Sequence, residues 1–487
     1  MRLFLVFALL GVQLNAYAQL KLSGKLSPTV KTLTFYIPFD CWVYRADSRK
    51  VSLDAQGNFS VQLPVTTPQI IFMDYADQRL YLYAEPGKTL IMRADRSNIR
   101  FSGSLAKENQ FRQRLGLTHN RLGRTTYNDS LSSPAAILTD IQQSQTWAFA
   151  QLKTLAFKPT SAFLEMTTAD LTYFAASKVW DLIWENGVWT SRNKSQYGQP
   201  EWRAVLKKTY QSIHLSDATA LRSYPYQQVI AYYSRYLQHQ CASKEDFATL
   251  AEEMFEKPFT TVNQELREKG ERYWEYKAIN YGLSGPSLER AIASFLTQGI
   301  KHGELGYQRE AYEDFMHRFP KSSYRPYVQQ LMKPYWDSVL QTERSYIHVH
   351  PASIPTLDSL LVAHRGKVVY LDLWGSWCGP CREEFTFNQA LKEHFKGQAV
   401  DFLYVAVEHT TNPEKGWREM IAFYQLTGYH ILAGKALVDD VQRHYSPQSH
   451  LQFPSYILVD KSGKIVTVHA KRPSEKEALY EQIRQLL

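Results

Sequence analysis

Three textures of apolar and polar residues follow one another along the chain. Between residues 19 and 103 the apolar positions alternate: Leu33, Phe35 and Ile37 form one set, Phe59, Val61 and Leu63 a second, and Leu80-Tyr81-Leu82-Tyr83 a third. Period two is the mark of strands with one buried face. Turn signals at Asp54-Ala55-Gln56-Gly57 and Glu85-Pro86-Gly87 separate them. Short strands at this spacing predict an N-terminal β-sandwich over 19–103. From 104 to 343 apolar residues recur at three and four, as in Pro134–Leu155, Ser161–Trp184, Gln264–Tyr281 and Leu288–Lys301. That is the signature of a central α-helical domain, with Ser133 as a cap ahead of Pro134. Its aromatics, among them Trp180, Trp184, Trp189, Tyr232, Tyr233 and Tyr236, fall at helical spacing and are assigned to core rather than to a binding groove. Phe319-Pro320-Lys321-Ser322-Ser323 resembles one inter-helix turn of a tetratricopeptide array, but no period repeats it.

From 344 to 487 the pattern changes again. Val368–Leu371 and Phe402–Val407 are continuous apolar runs, as in strands buried on both faces. A helix is expected over Arg382–Phe395 and another near Trp417–Leu426. A strand at Ser455–Asp460, a turn at Lys461–Lys464 and a strand at Ile465–Val468 follow. The last helix, Ser474–Leu487, is expected to open with a capping box of Ser474 and Glu477. The order β-α-β-α-β-β-α predicts a C-terminal α/β domain.

The 487 residues suit about three domains. The first eighteen are read as a signal peptide: Arg2, an apolar run from Leu3 to Val12, and the small-residue cleavage site Ala16-Tyr17-Ala18. That run is too short to span a bilayer, which needs about twenty apolar residues. No cysteine follows the cleavage site to carry a lipid. The expectation is an exported, periplasmic, soluble protein beginning at Gln19, not an integral membrane protein. The net charge of +9 is spread along the chain without a basic, aromatic-studded tract, which argues against nucleic acid as a partner.

Of the four cysteines, Cys41 and Cys241 stand alone and are read as small buried apolar side chains. The other two form Cys378-Gly379-Pro380-Cys381, directly after a buried strand and at the start of a helix. A cysteine at a helix N-terminus meets unpaired amides and the positive dipole end, which stabilise its thiolate. A second cysteine one turn on can then resolve the mixed disulfide. A zinc site would need a second CxxC or a paired-histidine motif, and neither is present.

Tyr370-Leu371-Asp372-Leu373-Trp374-Gly375-Ser376-Trp377 followed by the CGPC motif resembles the thioredoxin active-site signature. Gly366-Lys367-Val368 before it and Phe453-Pro454-Ser455-Tyr456 after it resemble the exported TlpA/ResA-like branch, in particular its longer Bacteroidetes members with an N-terminal β domain. The resemblance implies a thioredoxin fold over 344–487 and thiol:disulfide oxidoreductase activity. It implies no cofactor beyond the Cys378–Cys381 disulfide itself. It assigns Asp372 as a buried proton acceptor near the resolving thiol and Glu384 as an acidic residue of the active site. Pro454 becomes the cis-proline facing the CxxC, and Trp377, Gly379, Pro380 and Phe453 form the substrate surface. Two departures stand out: Thr386 occupies a position where relatives often carry a helix-kinking proline, and Phe453 is bulky for its place. Peroxiredoxin chemistry is set aside because Gly375 stands where that chemistry needs threonine. The expected partners are disulfide-containing protein substrates and a membrane thiol-electron donor, with reduction the preferred direction. A redox-switched adaptor and a net oxidase are the alternatives.

Overall fold

The computed structural model describes residues 19–26, 30–44, 47–75, 78–94, 99–122, 133–185, 200–339, 347–409, 413–445 and 451–487. The signal-peptide reading at 1–18, the Trp189 assignment and the side chain of Trp184 lie outside what is described. The chain divides into two compact units, one of residues 1–247 with 278–291 and the other of 248–277 with 292–487. The division falls within the helices Lys244–Phe255, Glu271–Gly282 and Gly285–His302.

The first unit opens with eight strands: β1 (Leu20–Lys25), β2 (Thr32–Tyr36), β3 (Arg49–Ser52), β4 (Asn58–Leu63), β5 (Gln69–Tyr75), β6 (Gln78–Ala84), β7 (Thr89–Ala94) and β8 (Ile99–Ser102). They form two four-stranded sheets, β4-β1-β7-β8 and β3-β2-β5-β6. Alternation behaves as the pattern requires: Phe59, Val61 and Leu63 of β4 are buried and their neighbours exposed. Phe35 of β2 meets Phe59 of β4 at 6.3 Å between rings, one residue from each sheet. The edge strand β6 is covered rather than left to pair with another chain. Asn109, on the helix Ala106–Leu115, accepts from the Tyr83 amide at 2.9 Å and donates to the Tyr83 carbonyl at 3.0 Å. Farther along, Ser133 caps the helix Pro134–Lys153 by accepting from the Ala136 amide, and Trp180 is fully buried within Ser161–Glu185. Tyr233 is buried as well, while Tyr232 and Tyr236 are half-buried, Tyr236 stacking on Tyr210 at 3.8 Å.

The second unit holds a six-stranded sheet. Its strands are β9 (Ile347–Val349), β10 (Val368–Trp374), β11 (Val400–Ala406), β12 (Gly428–Leu432), β13 (Ser455–Val459) and β14 (Ile465–Thr467). The spatial order is β14-β13-β10-β11-β12-β9. Parallel pairing joins β10, β11, β12 and β9, while β13 and β14 run antiparallel. Helices cover the sheet, and every residue of β10 is buried. Leu371, Leu373, Leu403, Val405 and Ile457 make the core on one face; Val368, Tyr370, Leu391, Tyr456 and Ile483 make that on the other.

Several boundaries differ from the sequence reading. The expected helix Gln264–Tyr281 is broken by Gly270, whose φ of 80° ends Phe259–Lys269 before Glu271–Gly282 begins. The expected helix Arg382–Phe395 is two helices, Gly379–Phe385 and Asn388–His394. The break occurs without proline: the Thr386 hydroxyl donates to the Glu383 carbonyl at 2.7 Å, and the Thr386 and Phe387 amides turn to carbonyls three residues back. Strands β9 and β12 and the helices Leu357–Leu361 and Lys435–Tyr445 were absent from the sequence reading. The Ser474–Glu477 capping box does not form. A short turn of helix occupies Pro473–Glu475, the Glu475 carboxylate accepts from the Arg472 amide at 2.9 Å, and the last helix starts at Glu477.

Because β10 carries both cores and ends at the cysteine loop, truncating it tests the support of the site. Leu371→Ala should lower stability by about 2–5 kcal/mol, seen as an earlier urea midpoint for the α/β core. An unchanged midpoint would mean that β10 is not the central support.

Candidate functional site

The last residue of β10, Trp374, hands the chain to a loop at Gly375–Cys378 at the C-terminal end of a parallel strand, where open α/β sheets place their ligands. Cys378 is the N-cap of the helix Gly379–Phe385, its backbone extended and its sulfur accepting from the Cys381 amide at 3.1 Å. Pro380 stands in the first turn, where an amide would lack an intrahelical partner. Cys378 and Cys381 are joined as a disulfide. Cys378 is 3% exposed and Cys381 fully buried, so only the first sulfur has any approach from solvent.

Trp377 precedes Cys378 in this loop. It is 45% exposed, its indole donates to the Val407 carbonyl at 2.9 Å, and its ring lies 5.0 Å from both His409 and Phe453. Gly375 makes room for the indole, since a Cβ there would stand 2.4 Å from Trp377 Nε1. The Phe453–Pro454 peptide is cis, as the resemblance implied. Trp377 and Phe453 come together, with His409 added to the pair. Gly379 and Pro380 are brought to the same place by the helix start.

Asp372 lies under this loop. It is 2% exposed, and neither carboxylate oxygen has a hydrogen-bond partner. Its register neighbours are Tyr404 on β11 and Tyr456 on β13. Burial, reinforced by the nearby charge of Glu384, pushes its carboxyl well above the usual range, and Lys392 only partly opposes this. Glu384 also turns inward. Its carboxylate accepts from the Ser474 amide and hydroxyl, both at 2.9 Å, which is where the expected cap went. Glu384 is thus neither a solvated charge nor bonded to a cysteine; it is a buried, satisfied neighbour of Asp372.

Three participants escaped sequence reasoning. Lys392, on Asn388–His394, turns its ammonium inward to the Thr427 carbonyl and over the Tyr404 ring at 4.8 Å. Burial brings its pKa down to about 7, with Asp372 holding it up. Glu408, two residues beyond β11, accepts from the Ser376 amide at 2.6 Å and hydroxyl at 2.7 Å, and burial raises its pKa. Arg382 donates to the Ser376 carbonyl at 2.7 Å from the other side. For Glu408 a signal existed: an acidic residue just past the end of a buried parallel strand. Lys392 gave none, because a lysine on an amphipathic helix reads as solvated. Among the described residues no group of three or more histidine, cysteine or carboxylate side chains could hold a metal.

The electrostatics give a pH prediction. A carboxyl whose folded-state pKa is raised makes the folded state lose stability as pH rises above the unfolded pKa of about 3.9. Asp372→Asn should therefore stabilise the protein at pH 8 and do so much less at pH 4, as read from denaturation midpoints at both values. Equal effects at the two pH values would show Asp372 to be ionised at little cost in the fold.

The Redoxin family model matches residues 356–483. The chain is 30% identical over 131 residues to the thioredoxin-like protein YneN of Bacillus subtilis, covering 26% of this chain and 71% of that one. It is 27% identical over 104 residues to the thiol-disulfide oxidoreductase ResA of the same organism, where it spans only 53% of the relative's length and 21% of its own. Among solved structures, the thioredoxin domain of a thiol-disulfide oxidoreductase from Bacteroides vulgatus aligns at 28% identity. That alignment covers 26% of this chain and 82% of that one with a TM-score of 0.22. Sequence therefore carries the assignment: through its C-terminal domain the chain belongs to the TlpA/ResA-like, thioredoxin-fold family of thiol-disulfide oxidoreductases.

Proposed function

We propose that this chain is an exported reductase of protein disulfides that works through the Cys378–Cys381 pair. The observation that carries the reading is the placement of Cys378 as the N-cap of Gly379–Phe385, joined to Cys381 one turn on, with the unpartnered carboxyl of Asp372 buried in the preceding strand. The Cys378 thiolate, stabilised by the helix N-terminus, attacks one sulfur of a substrate disulfide. A mixed disulfide forms and the first substrate thiolate leaves. Asp372, in its ionised form, then takes the Cys381 proton, and the Cys381 sulfur attacks Cys378 Sγ. The second substrate thiolate departs, taking up a proton, and the enzyme is left as the disulfide. Two electrons have passed to the substrate, so a dithiol donor must restore the enzyme; outside the cytoplasm that donor has to reach it through a membrane thiol carrier.

Export rests on the apolar segment Leu3 to Val12 followed by Ala16-Tyr17-Ala18. No helix among the described residues is long and apolar enough to cross a membrane. The cis Phe453–Pro454 segment, the exposed Trp377 ring and the loop at Gly379–Pro380 supply a surface for an extended substrate strand.

Cys378→Ser should abolish reduction of insulin disulfides, and Cys381→Ser should accumulate mixed disulfides that identify the clients by mass spectrometry. Full turnover by Cys378→Ser would remove the mechanism. Equilibration with glutathione buffers should give a potential nearer about −270 mV than about −120 mV; a value at the oxidising end would reassign the chain to disulfide formation. Asp372→Asn should slow the second step more than the first in stopped-flow measurements from pH 5 to 9. Identical rates in both steps would move the proton acceptor elsewhere.

A further inference from the structure

Arg382 follows the resolving cysteine directly, and its guanidinium does not point into solvent. The side chain is 9% exposed. Nε donates to the carbonyl of His302, the last residue of the helix Gly285–His302, Nη1 donates to the Ser376 carbonyl at 2.7 Å, and Nη2 pairs with Glu304 at 3.4 Å. All these residues belong to the second compact unit. The segment at 302–304 is fitted closely to this group. Gly303 has a φ of 67°, and a Cβ on it would stand 2.2 Å from Tyr424 Oη and 2.7 Å from Arg382 Cδ. Tyr424 in turn packs on Phe385, 5.2 Å between rings, within the cysteine-bearing helix.

Held in this way, the guanidinium folds back along the active-site helix. Nη2 comes within 3.8 Å of where a Cβ on Gly379 would be, next to the nucleophile. Ser376, two residues before Cys378, is gripped at three atoms: Glu408 takes its amide and hydroxyl protons, and Arg382 donates to its carbonyl. A fixed cation beside a cysteine favours the thiolate. An arginine fork that spans two carbonyls and a carboxylate keeps that cation in place better than a flexible lysine could.

We propose that Arg382 is a positioning residue through which the helical segment ending at His302 sets the reactivity of Cys378. Besides the Ser376 carbonyl, the anchor comes from residues 302–304, 78 to 80 positions upstream of Arg382 in the chain. The charged and titratable groups facing the guanidinium are Glu304, His302 and Tyr424, with Glu383 beside it on its own helix. Arg272 shares Glu304 at 3.7 Å, and Glu408 and His409 flank the loop from the sheet side. The reading rests on Cys378 being the attacking thiol.

The test is a pH titration of the reduced, full-length protein, following the ultraviolet absorbance of the thiolate. Cys41 and Cys241 do not interfere, because burial raises both thiols. Arg382→Gln should raise the Cys378 pKa by about half a unit or more, roughly a threefold loss of thiolate at a pH below the transition. Gly303→Ala, which touches neither cysteine, should move it in the same direction by displacing the Arg382 side chain. Arg382→Lys should recover only part of the loss. Circular dichroism identifies any variant that does not fold, and either of the first two suffices alone. A Cys378 pKa equal to wild type in the folded variants overturns the proposal while leaving the enzyme's chemistry intact. A wild-type protein that reduces no disulfide overturns the underlying reaction instead.

Discussion

Exclusion of water from both faces of β10 is the constraint on which the rest of the site depends. A strand whose seven residues are all buried cannot hydrate a carboxylate placed within it, and Asp372 occupies its middle with no donor in reach. The flanking strands give it phenols rather than charges, since Tyr404 and Tyr456 lie opposite in register and burial raises the pKa of both. An acid of ordinary strength becomes a weak one in such a place. Such an acid keeps its proton to higher pH than a solvated aspartate does. Lys392 keeps the arrangement from being purely repulsive: its inward ammonium lowers the Asp372 pKa where Glu384 raises it. Packing thus decides chemistry here, through dielectric rather than through contact.

What the sequence reveals and what it hides follow from the range of the interactions involved. β10 and β11 were legible because strands buried on both faces are apolar throughout, and the cysteine pair because its spacing matches one helical turn. β12 was not, because Gly428, Tyr429 and His430 interrupt the apolar run. His430 is nonetheless fully buried, bonded to the Leu426 carbonyl at 2.7 Å and stacked on Tyr404. The inward turn of Glu384 was undecidable from its own neighbourhood, since its partner Ser474 lies ninety residues on, and that same bond removed Ser474 from its expected cap. The loss of the long helix at Thr386 shows the opposite case: a local hydroxyl-to-carbonyl bond replaces the proline that relatives use, and only the atoms reveal it.

The helical region also reads differently once folded. Its periodicity announces helices but not which body they join. Residues 248–277 and 292–339 belong with the α/β sheet, and the rest with the strands of the first unit. Glu419, on the helix Pro413–Phe423, illustrates the join within the second unit: burial raises its pKa, and Arg309 and Glu310 from the helix Gln308–Arg318 act on it. A side chain that would be solvated on a free-standing α/β domain is here half-buried.

Trp377 leaves one consequence for selectivity. The residue after it, Cys378, is 3% exposed and Cys381 fully buried, so the disulfide presents little surface. Attack on a disulfide needs the incoming sulfur in line with the bond, and a freely diffusing small thiol brings no binding energy with which to open that packing. Access to the sulfur, rather than potential alone, then sets how readily one reductant is preferred to another.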